Sequence, residues 1–143
     1  MIIQKMKQED LDQVMYIEQT SFKAPWKRSF FEYDLQHQGG YCYVAKEKEE
    51  ILGYANAWYI ADEMHLANIA VHLKHRHMGI GMQLFKKIIE VAQKNKCRSI
   101  LLEVRISNLI AQKLYEKFGF IKLYTRKKYY PDGEEAIVYE KRL

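Results

Sequence analysis

The fold of this chain is decided by the stretch RHMGIG, which runs from Arg76 to Gly81. It follows an apolar segment, residues 64–71, with the composition of a strand. It precedes apolar residues that recur at helical spacing, namely Leu84, Phe85, Ile88, Ile89 and Ala92. At a junction between a strand and a helix, the helix dipole and the free backbone N–H groups of the first helical turn attract an anion.

The two glycines of this stretch, Gly79 and Gly81, allow two interpretations. They can let the backbone approach a diphosphate closely, or they can serve a tight turn that needs positive φ. The dinucleotide pattern GxGxxG fails because Leu84 stands at the third glycine position, and the P-loop pattern fails because no GKS or GKT follows. We therefore expect a ligand that carries phosphate but is bound by neither of these patterns.

The segments on both sides of the loop predict a mixed β-sheet with helices packed on it. Upstream, the apolar periodicity predicts a strand at 2–6, a helix at 8–17, a second helix from Ser29 as N-cap to a stop at Gly39–Gly40, and strands at 41–45, 51–59 and 64–71. Downstream it predicts a helix over 84–92, a strand at 99–104, a helix over 110–118 closed by Gly119, and strands at 120–125 and 136–141. The order is β-α-α-β-β-β-α-β-α-β-β, so we predict one α/β domain that spans residues 1–143.

Composition excludes several classes of protein. With 143 residues, of which 48% are hydrophobic and 29% charged, the chain suits one domain with a buried core and differs from a disordered chain. No apolar run reaches the roughly 18 to 20 residues that cross a bilayer, and the N-terminus lacks the apolar core of a secretory signal. Cys42 and Cys97 make no disulfide framework, which favours a cytoplasmic location. Because no apolar span is present, we expect no membrane partner.

Four further stretches carry a resemblance to a known family. They read NIAV at 68–71, LEVRxSN at 102–108, AxxLYExxGF at 111–120 and RxxYYPxGExA at 126–136. Together with the 76–81 loop, they resemble the GCN5-related N-acetyltransferase (GNAT) family and, within it, the RimI-type N-terminal acetyltransferases of ribosomal proteins. The loop pattern is shared by a very broad superfamily, whereas the double tyrosine with its acidic, alanine-ended tail is much narrower.

The resemblance implies a fold, a co-substrate and its binding residues. The fold is a central sheet of about seven strands with about four helices, and the co-substrate is acetyl-CoA, which transfers acetyl directly without a covalent enzyme intermediate. The residues implied to line the pantetheine are Ile69, Ala70 and Val71, with Asn108 bonded to its arm. Those implied to cradle the diphosphate are Arg76, His77, Met78, Gly79, Ile80, Gly81 and Met82. Without the resemblance, residues 69–71 read simply as buried strand.

Glu103 is a carboxylate inside the apolar run at residues 99–104. An ion pair or exposure at the strand end would explain it, because acids near strand ends are common at sites without function. It would also suit a general base whose pKa is raised by partial burial, since a free glutamate near about 4.3 takes a proton from an ammonium inefficiently. The base could act directly or through a water molecule.

Tyr115 lies on the helical stripe of Ala111 and Leu114, so periodicity alone predicts a core aromatic. The resemblance instead implies an acid that protonates the departing CoA thiolate. A phenol near pKa 10 and a thiol near 8.5 differ by about 1.5 units, roughly 2 kcal/mol. That difference is tolerable when the proton is delivered in place.

The acceptor amine is expected to be a protein N-terminus. An α-amino group is about a tenth neutral at pH 7, whereas a lysine is neutral only about 0.04% of the time. The resemblance implies that the peptide is the Ala-starting N-terminus of a ribosomal protein and that it enters between Pro25 and Trp26 on one side and Tyr129 and Tyr130 on the other. Pro25 and Trp26 could equally clamp two helices together.

Other functions and partners remain open at this point. The amine could be a lysine, a small metabolite or aminoacyl-tRNA, or the chain could be a non-catalytic acetyl-CoA sensor or RNA-binding module. Asp132, Glu134 and Glu135 could attract a basic peptide. No metal is expected, because the histidines lack a cysteine or carboxylate at familiar ligand spacing. We also expect a monomer.

The basic residues behind the net charge of +5 are concentrated around the loop 76–81 and the helix after it. Residues 72–98 hold seven basic side chains against one acid, which is more than the whole excess of the chain. A phosphomonoester such as that of CoA carries about −1.5 to −2 at neutral pH. We therefore expect this basic segment to face CoA, although the lysines on the far face of its helix could simply be solvated, and we expect no direct nucleic-acid partner.

Overall fold

Seven strands form one mixed sheet in the computed structural model, which describes all residues from Met1 to Leu143. They are β1 Ile2–Lys5, β2 Gly40–Glu47, β3 Glu50–Ile60, β4 Glu63–Val71, β5 Ser99–Arg105, β6 Ile121–Arg126 and β7 Ala136–Arg142. Four helices flank the sheet: α1 Leu11–Ser21, α2 Arg28–Gln36, α3 Ile80–Lys94 and α4 Leu109–Lys117. The strand order is β1-β2-β3-β4-β5-β7-β6. The predicted mixed α/β fold and element order are confirmed.

The ends of the first two helices differ from the prediction. Residues 8–10 form a 3-10 turn before α1, which continues to Ser21. Ser29 is not an N-cap, because α2 begins one residue earlier and Lys27 takes the capping position. The helix also ends at Gln36, ahead of the two glycines. His37 leaves the helical conformation there and stacks its ring 3.6 Å from that of Tyr33.

Each face of the sheet has its own core. The larger core packs α3 onto the sheet through Leu84, Phe85 and Ile88, all at most 2% exposed. On the opposite face, α1 and α2 cover strands β2 to β4 through residues such as Leu11 and Phe31. This second core includes no residue of β5, β6 or β7, so those strands keep a half-open face beside α1 and α2.

The sheet opens between the neighbouring strands β4 and β5. All pairings are antiparallel except that of β4 with β5, which is parallel and covers only three positions, ending at His65 opposite Leu101. Beyond that point β4 continues to Val71 and β5 to Arg105, but the two strands no longer pair with each other. A register shift between β3 and β4 leaves Ala67 as an extra residue close to this point, and a bulge of this kind bends a strand. The resulting gap leaves backbone N–H and C=O groups of both strands free.

No helix of the structure is long and apolar enough to cross a membrane.

Candidate active site

A cleft of about 780 Å³ lies between the end of β4, the start of α3 and the side of α4. Most residues expected to bind acetyl-CoA line it: Ile69, Ala70, Val71, Arg76, His77, Gly79, Ile80, Gly81 and Met82. Two expected residues do not. Met78 is 67% exposed and is not part of the cleft lining, and Asn108 lies in the neighbouring cavity, where its side chain caps α4 by accepting the Ala111 N–H at 3.1 Å.

The loop before α3 has the geometry of an anion site. His77 and Gly79 adopt positive φ, of 66° and 79°, and Gly79 is the N-cap of α3. A Cβ on Gly79 would meet no atom within 4 Å, so this glycine is required for its backbone conformation and not for packing. The first N–H groups of α3 have no acceptor within the helix and lie at the cleft.

The basic side chains of the cleft differ from the expected set. Of the seven in residues 72–98, only Arg76 lines the cleft, and its guanidinium donates to the Val71 carbonyl at 3.1 Å and to Ser21 Oγ at 3.2 Å. The α3 lysines lie away from the cleft: Lys86 and Lys94 are exposed, and the half-buried Lys87 pairs with Glu90 at 3.3 Å. Of this basic segment, therefore, Arg76 in the loop lies at the cleft and the lysines of the helix do not. Lys113 and Lys117, one helical turn apart on α4, line the cleft instead.

A second cavity of about 490 Å³ adjoins the cleft on the half-open face of the sheet; we call it the acceptor cavity. Its lining comes from β4, β5, α4 and the loop between α1 and α2, and it includes Glu103 and Tyr130. Four residues line both spaces, so the two meet there: Ser21, Phe22, Ile69 and Tyr115.

Glu103 lies in a network that sequence analysis missed. His65 Nε2 lies 2.8 and 3.0 Å from the two carboxylate oxygens, and the Tyr129 hydroxyl donates to one of them at 3.1 Å. Burial raises the pKa of Glu103, but the hydrogen bond and charge of His65, the hydrogen bond of Tyr129 and the charge of Arg126 outweigh burial, so the net pKa is lowered. The expected raised pKa is wrong, because ionised Glu103 is well solvated by these neighbours.

Tyr115 combines both sequence interpretations in its position. It is 9% exposed and packs against the rings of Phe85 and Phe120, at centroid distances of 5.9 and 5.6 Å, as a core aromatic. It also lines both cavities. Burial raises its pKa to about 12. The gap to a thiol near 8.5 thus widens to about 3.5 units, roughly 5 kcal/mol, instead of the expected 2.

Arg105, which sequence analysis did not select, binds the connection between β6 and β7 beside the acceptor cavity. Its Nη1 donates to Asp132 and Glu134 at 2.8 Å each, and its guanidinium lies 4.1 Å from the centroid of the Tyr130 ring. Hydrogen bonds from Ser107 and Arg105 lower the pKa of Glu134 to about 2. Asp132 and Glu134 are thus paired internally rather than free to attract a peptide.

The loop between α1 and α2 contacts the acceptor cavity with other residues than expected. Trp26 packs on Phe31, at a centroid distance of 5.3 Å, and neither Pro25 nor Trp26 lines the cavity. Trp26 therefore fits the alternative interpretation, in which it packs between the two helices α1 and α2. Phe22 and Lys23 of the same loop line the cavity instead.

The two adjoining cavities, the opened sheet and the glycine loop before α3 offer room for a phosphate-bearing co-substrate beside a second substrate, which is the arrangement that group transfer between them needs. The sequence profile of the Acetyltransferase (GNAT) family matches residues 11–120. The chain belongs to this family and is an acetyl-CoA-dependent N-acetyltransferase.

Individual relatives are similar over nearly the whole chain. A Bacillus subtilis relative is 36% identical over 138 residues, which cover 95% of this chain and 91% of the relative. The ribosomal protein bS18-alanine N-acetyltransferase of Escherichia coli strain K12 is 32% identical, covering 95% and 93%. The crystal structure of the ribosomal-protein-S18-alanine N-acetyltransferase from E. coli superposes with a TM-score of 0.90 at 30% identity, covering 99% and 92%. A chain of the NatC complex bound to Gag peptide and CoA shares the fold, with a TM-score of 0.87, 20% identity, and coverage of 99% and 98%.

Proposed function

We propose that this protein transfers acetyl from acetyl-CoA to the α-amino group of a ribosomal protein that begins with alanine. The observation that carries the proposal is that Glu103 and Tyr115 line one acceptor cavity, and that this cavity meets the co-substrate cleft at Tyr115 and Ile69. The name of the E. coli relative, similar along nearly its full length, supports the choice of acceptor.

We assign the co-substrate to the larger cleft. The free N–H and C=O groups of β4 beyond His65 can pair with the amides of pantetheine as an added strand would. The diphosphate suits the N–H groups at the start of α3, and further phosphate suits Lys113 and Lys117. A free backbone N–H near Val71 can stabilise the negative charge that develops on the acetyl oxygen.

The transfer is proposed to proceed by direct attack. The amine nitrogen forms a bond to the acetyl carbon and loses a proton to Glu103, directly or through water, as the carbon–sulfur bond breaks. Tyr115 donates its phenolic proton to the departing thiolate. His65 and Tyr129 hold the carboxylate of Glu103 in place through their hydrogen bonds.

The lowered pKa of Glu103 favours an α-amine over a lysine. A carboxylate of low pKa is a weak base, so it serves best an amine that is already partly neutral. At pH 7 about a tenth of an α-amino group is neutral, against about 0.04% of a lysine. Since Phe22, Lys23 and Tyr130 line the same cavity as Glu103, we expect the peptide N-terminus to reach Glu103 between the first two residues and Tyr130.

The experiment that tests the proposal is an acetyl-transfer assay with defined peptides. Basic peptides that begin with Ala, Ser or Met are compared with the same peptides blocked at the N-terminus and carrying internal lysines, and thiol release and product mass are measured. Acetylation of free N-termini only, fastest with Ala, supports the proposal. Acetylation of the blocked peptides contradicts it, as does acetyl-CoA binding without transfer to any amine or salt-sensitive RNA binding without acetyl-CoA binding.

A further inference from the structure

A buried carboxylate, Glu18, has no part in the mechanism proposed above. It lies in the last turn of α1, is 1% exposed and lines neither the cleft nor the acceptor cavity. Burying a carboxylate is costly unless hydrogen bonds compensate the lost hydration. The position of Glu18 between helix and sheet therefore calls for a physical reason.

Three uncharged donors from three segments satisfy this carboxylate. The hydroxyl of Tyr54 on β3 and the side-chain amide of Asn68 on β4 donate to Oε1, the latter at 2.6 Å. The backbone N–H of Trp26 donates to Oε2 at 2.8 Å. Burial raises the pKa of Glu18, and these three hydrogen bonds oppose the rise.

The segments that Glu18 joins are two walls of the acceptor cavity. Its backbone carbonyl accepts the N–H of Phe22 at 3.2 Å, and its carboxylate accepts that of Trp26, so one residue holds both ends of the loop 22–26. This loop contributes Phe22 and Lys23 to the cavity lining, and β4 contributes Asn68 to the same lining. A change at Glu18 would therefore alter the spacing between these two segments, while Glu18 itself makes no hydrogen bond to the glycine loop 76–81.

We propose that Glu18 is a positioning residue that fixes the width of the acceptor cavity by holding the loop 22–26 against β4. The inference rests on the function proposed above. All three partners donate, so they require an acceptor at both carboxylate oxygens. A glutamine at this position would turn its NH₂ group toward at least one donor and release either the loop or the strand.

The test is the variant Glu18→Gln in the full-length protein. Its KM for an Ala-starting peptide should rise about five- to tenfold, the size expected for the net loss of one ordinary hydrogen bond. Its kcat should stay within about twofold of wild type, because Glu103 keeps its contacts. Its Kd for acetyl-CoA should rise by a smaller factor than the peptide KM, because Phe22 is the one residue of the loop 22–26 that also lines the cleft. Tyr54→Phe removes one donor that lines neither cavity, so it should shift the peptide KM in the same direction by a smaller factor.

The matched control is Asp34→Asn. Asp34 is also a buried carboxylate, 6% exposed, and it accepts the Asn56 amide at 3.2 Å and the Trp58 indole N–H at 3.0 Å, but it lines neither cavity. It should lower Tm and leave the peptide KM unchanged. An equal rise of KM in Asp34→Asn would show general loosening of the packing of α1 and α2 and would overturn the proposal.

Amide hydrogen exchange separates failure of this inference from failure of the proposed function. The Trp26 amide should be protected in wild type and in Asp34→Asn, and should exchange at least about tenfold faster in Glu18→Gln, as opening by roughly 1.4 kcal/mol gives. Unchanged exchange there overturns the role of Glu18. If wild type acetylates no peptide, the proposed function fails, while the exchange result still decides whether Glu18 holds the loop.

Discussion

Glu103 is an ionised carboxylate held by His65 and Tyr129, and its removal is the most direct test of the proposed chemistry. Glu103→Gln should lower kcat roughly 10²- to 10⁴-fold, the usual contribution of a general base, with an unchanged Kd for acetyl-CoA. Steady-state kinetics with an Ala-starting peptide and binding titrations measure the two effects. Glu140→Gln on the adjacent strand β7 is the control and should keep full activity. Normal turnover in Glu103→Gln would remove the assigned role.

The pH dependence of the reaction follows from the lowered pKa of Glu103. A group whose pKa is lowered in the folded state stabilises the protein above its unfolded pKa and loses this effect only as the pH falls through the folded value. Because the pKa of Glu103 lies below the ordinary value of a glutamate, its carboxyl is ionised throughout the range from pH 5.5 to 9. The rise of kcat/KM between pH 5.5 and 9 should therefore report the α-amino group of the peptide, with a midpoint at about 7.7 to 8.0.

The same pH profile in Glu103→Gln should lie lower but keep this rising limb. Both profiles are measured with one peptide in buffers of constant ionic strength. A limb that vanishes in the variant would mean that Glu103 itself titrates near neutral pH, contrary to its surroundings in the structure.

Tyr115 offers a test that separates packing from proton transfer. Tyr115→Phe keeps the ring between Phe85 and Phe120 and removes only the hydroxyl, so Tm should change by no more than a few degrees. If the phenol protonates the thiolate, kcat should fall at least about tenfold. Tyr139→Phe is the matched control, because Tyr139 is a 1% exposed tyrosine of the same core and lines neither cavity. Equal losses of kcat in both variants would assign Tyr115 to packing alone.

Among the elements, α4 and not α3 places lysines at the cleft, namely Lys113 and Lys117. The double variant Lys113→Met and Lys117→Met should weaken acetyl-CoA binding roughly 3- to 30-fold, as expected for two partly exposed charge pairs. Lys86→Met on the solvent face of α3 should bind normally. Calorimetric titration with acetyl-CoA and with its analogue lacking the 3′-phosphate measures both. A weakening by Lys86→Met as large as that of the double variant would return the role to α3.

The elements also show why the sequence predicts the fold better than the site. The helix α3 is predictable because its apolar stripe and the glycine before it are local features. The contact of His65 with Glu103 depends on the pairing of β4 with β5, whose residues are far apart in sequence. Strand alternation places His65 on the face opposite Met64, but only the sheet order shows which strand it meets. The pKa of Glu103 was predicted in the wrong direction for the same reason.

At the scale of the whole molecule, the sheet consists of two parts joined along three register positions of β4 and β5. Acetyl-CoA bound in the gap would connect them, since its pantetheine can pair with strand edges left free. A ligand at 100 times its Kd stabilises the folded state by about 2.7 kcal/mol. For a chain of this size, this corresponds to a rise in Tm of roughly 5 to 10 °C.

Hydrogen exchange should show where this stabilisation acts. Acetyl-CoA should slow amide exchange in the segments that face the gap, residues 66–71 of β4 and 102–105 of β5, more than in β1 and β2, because these segments pair only with β3 and β7. Adenosine 3′,5′-bisphosphate, which lacks the pantetheine, is the matched control. At a concentration giving the same rise in Tm, it should protect the start of α3 and leave these strand segments unchanged. Equal protection by both ligands would mean that the two parts of the sheet are coupled through the protein, and that pantetheine does not bridge the gap.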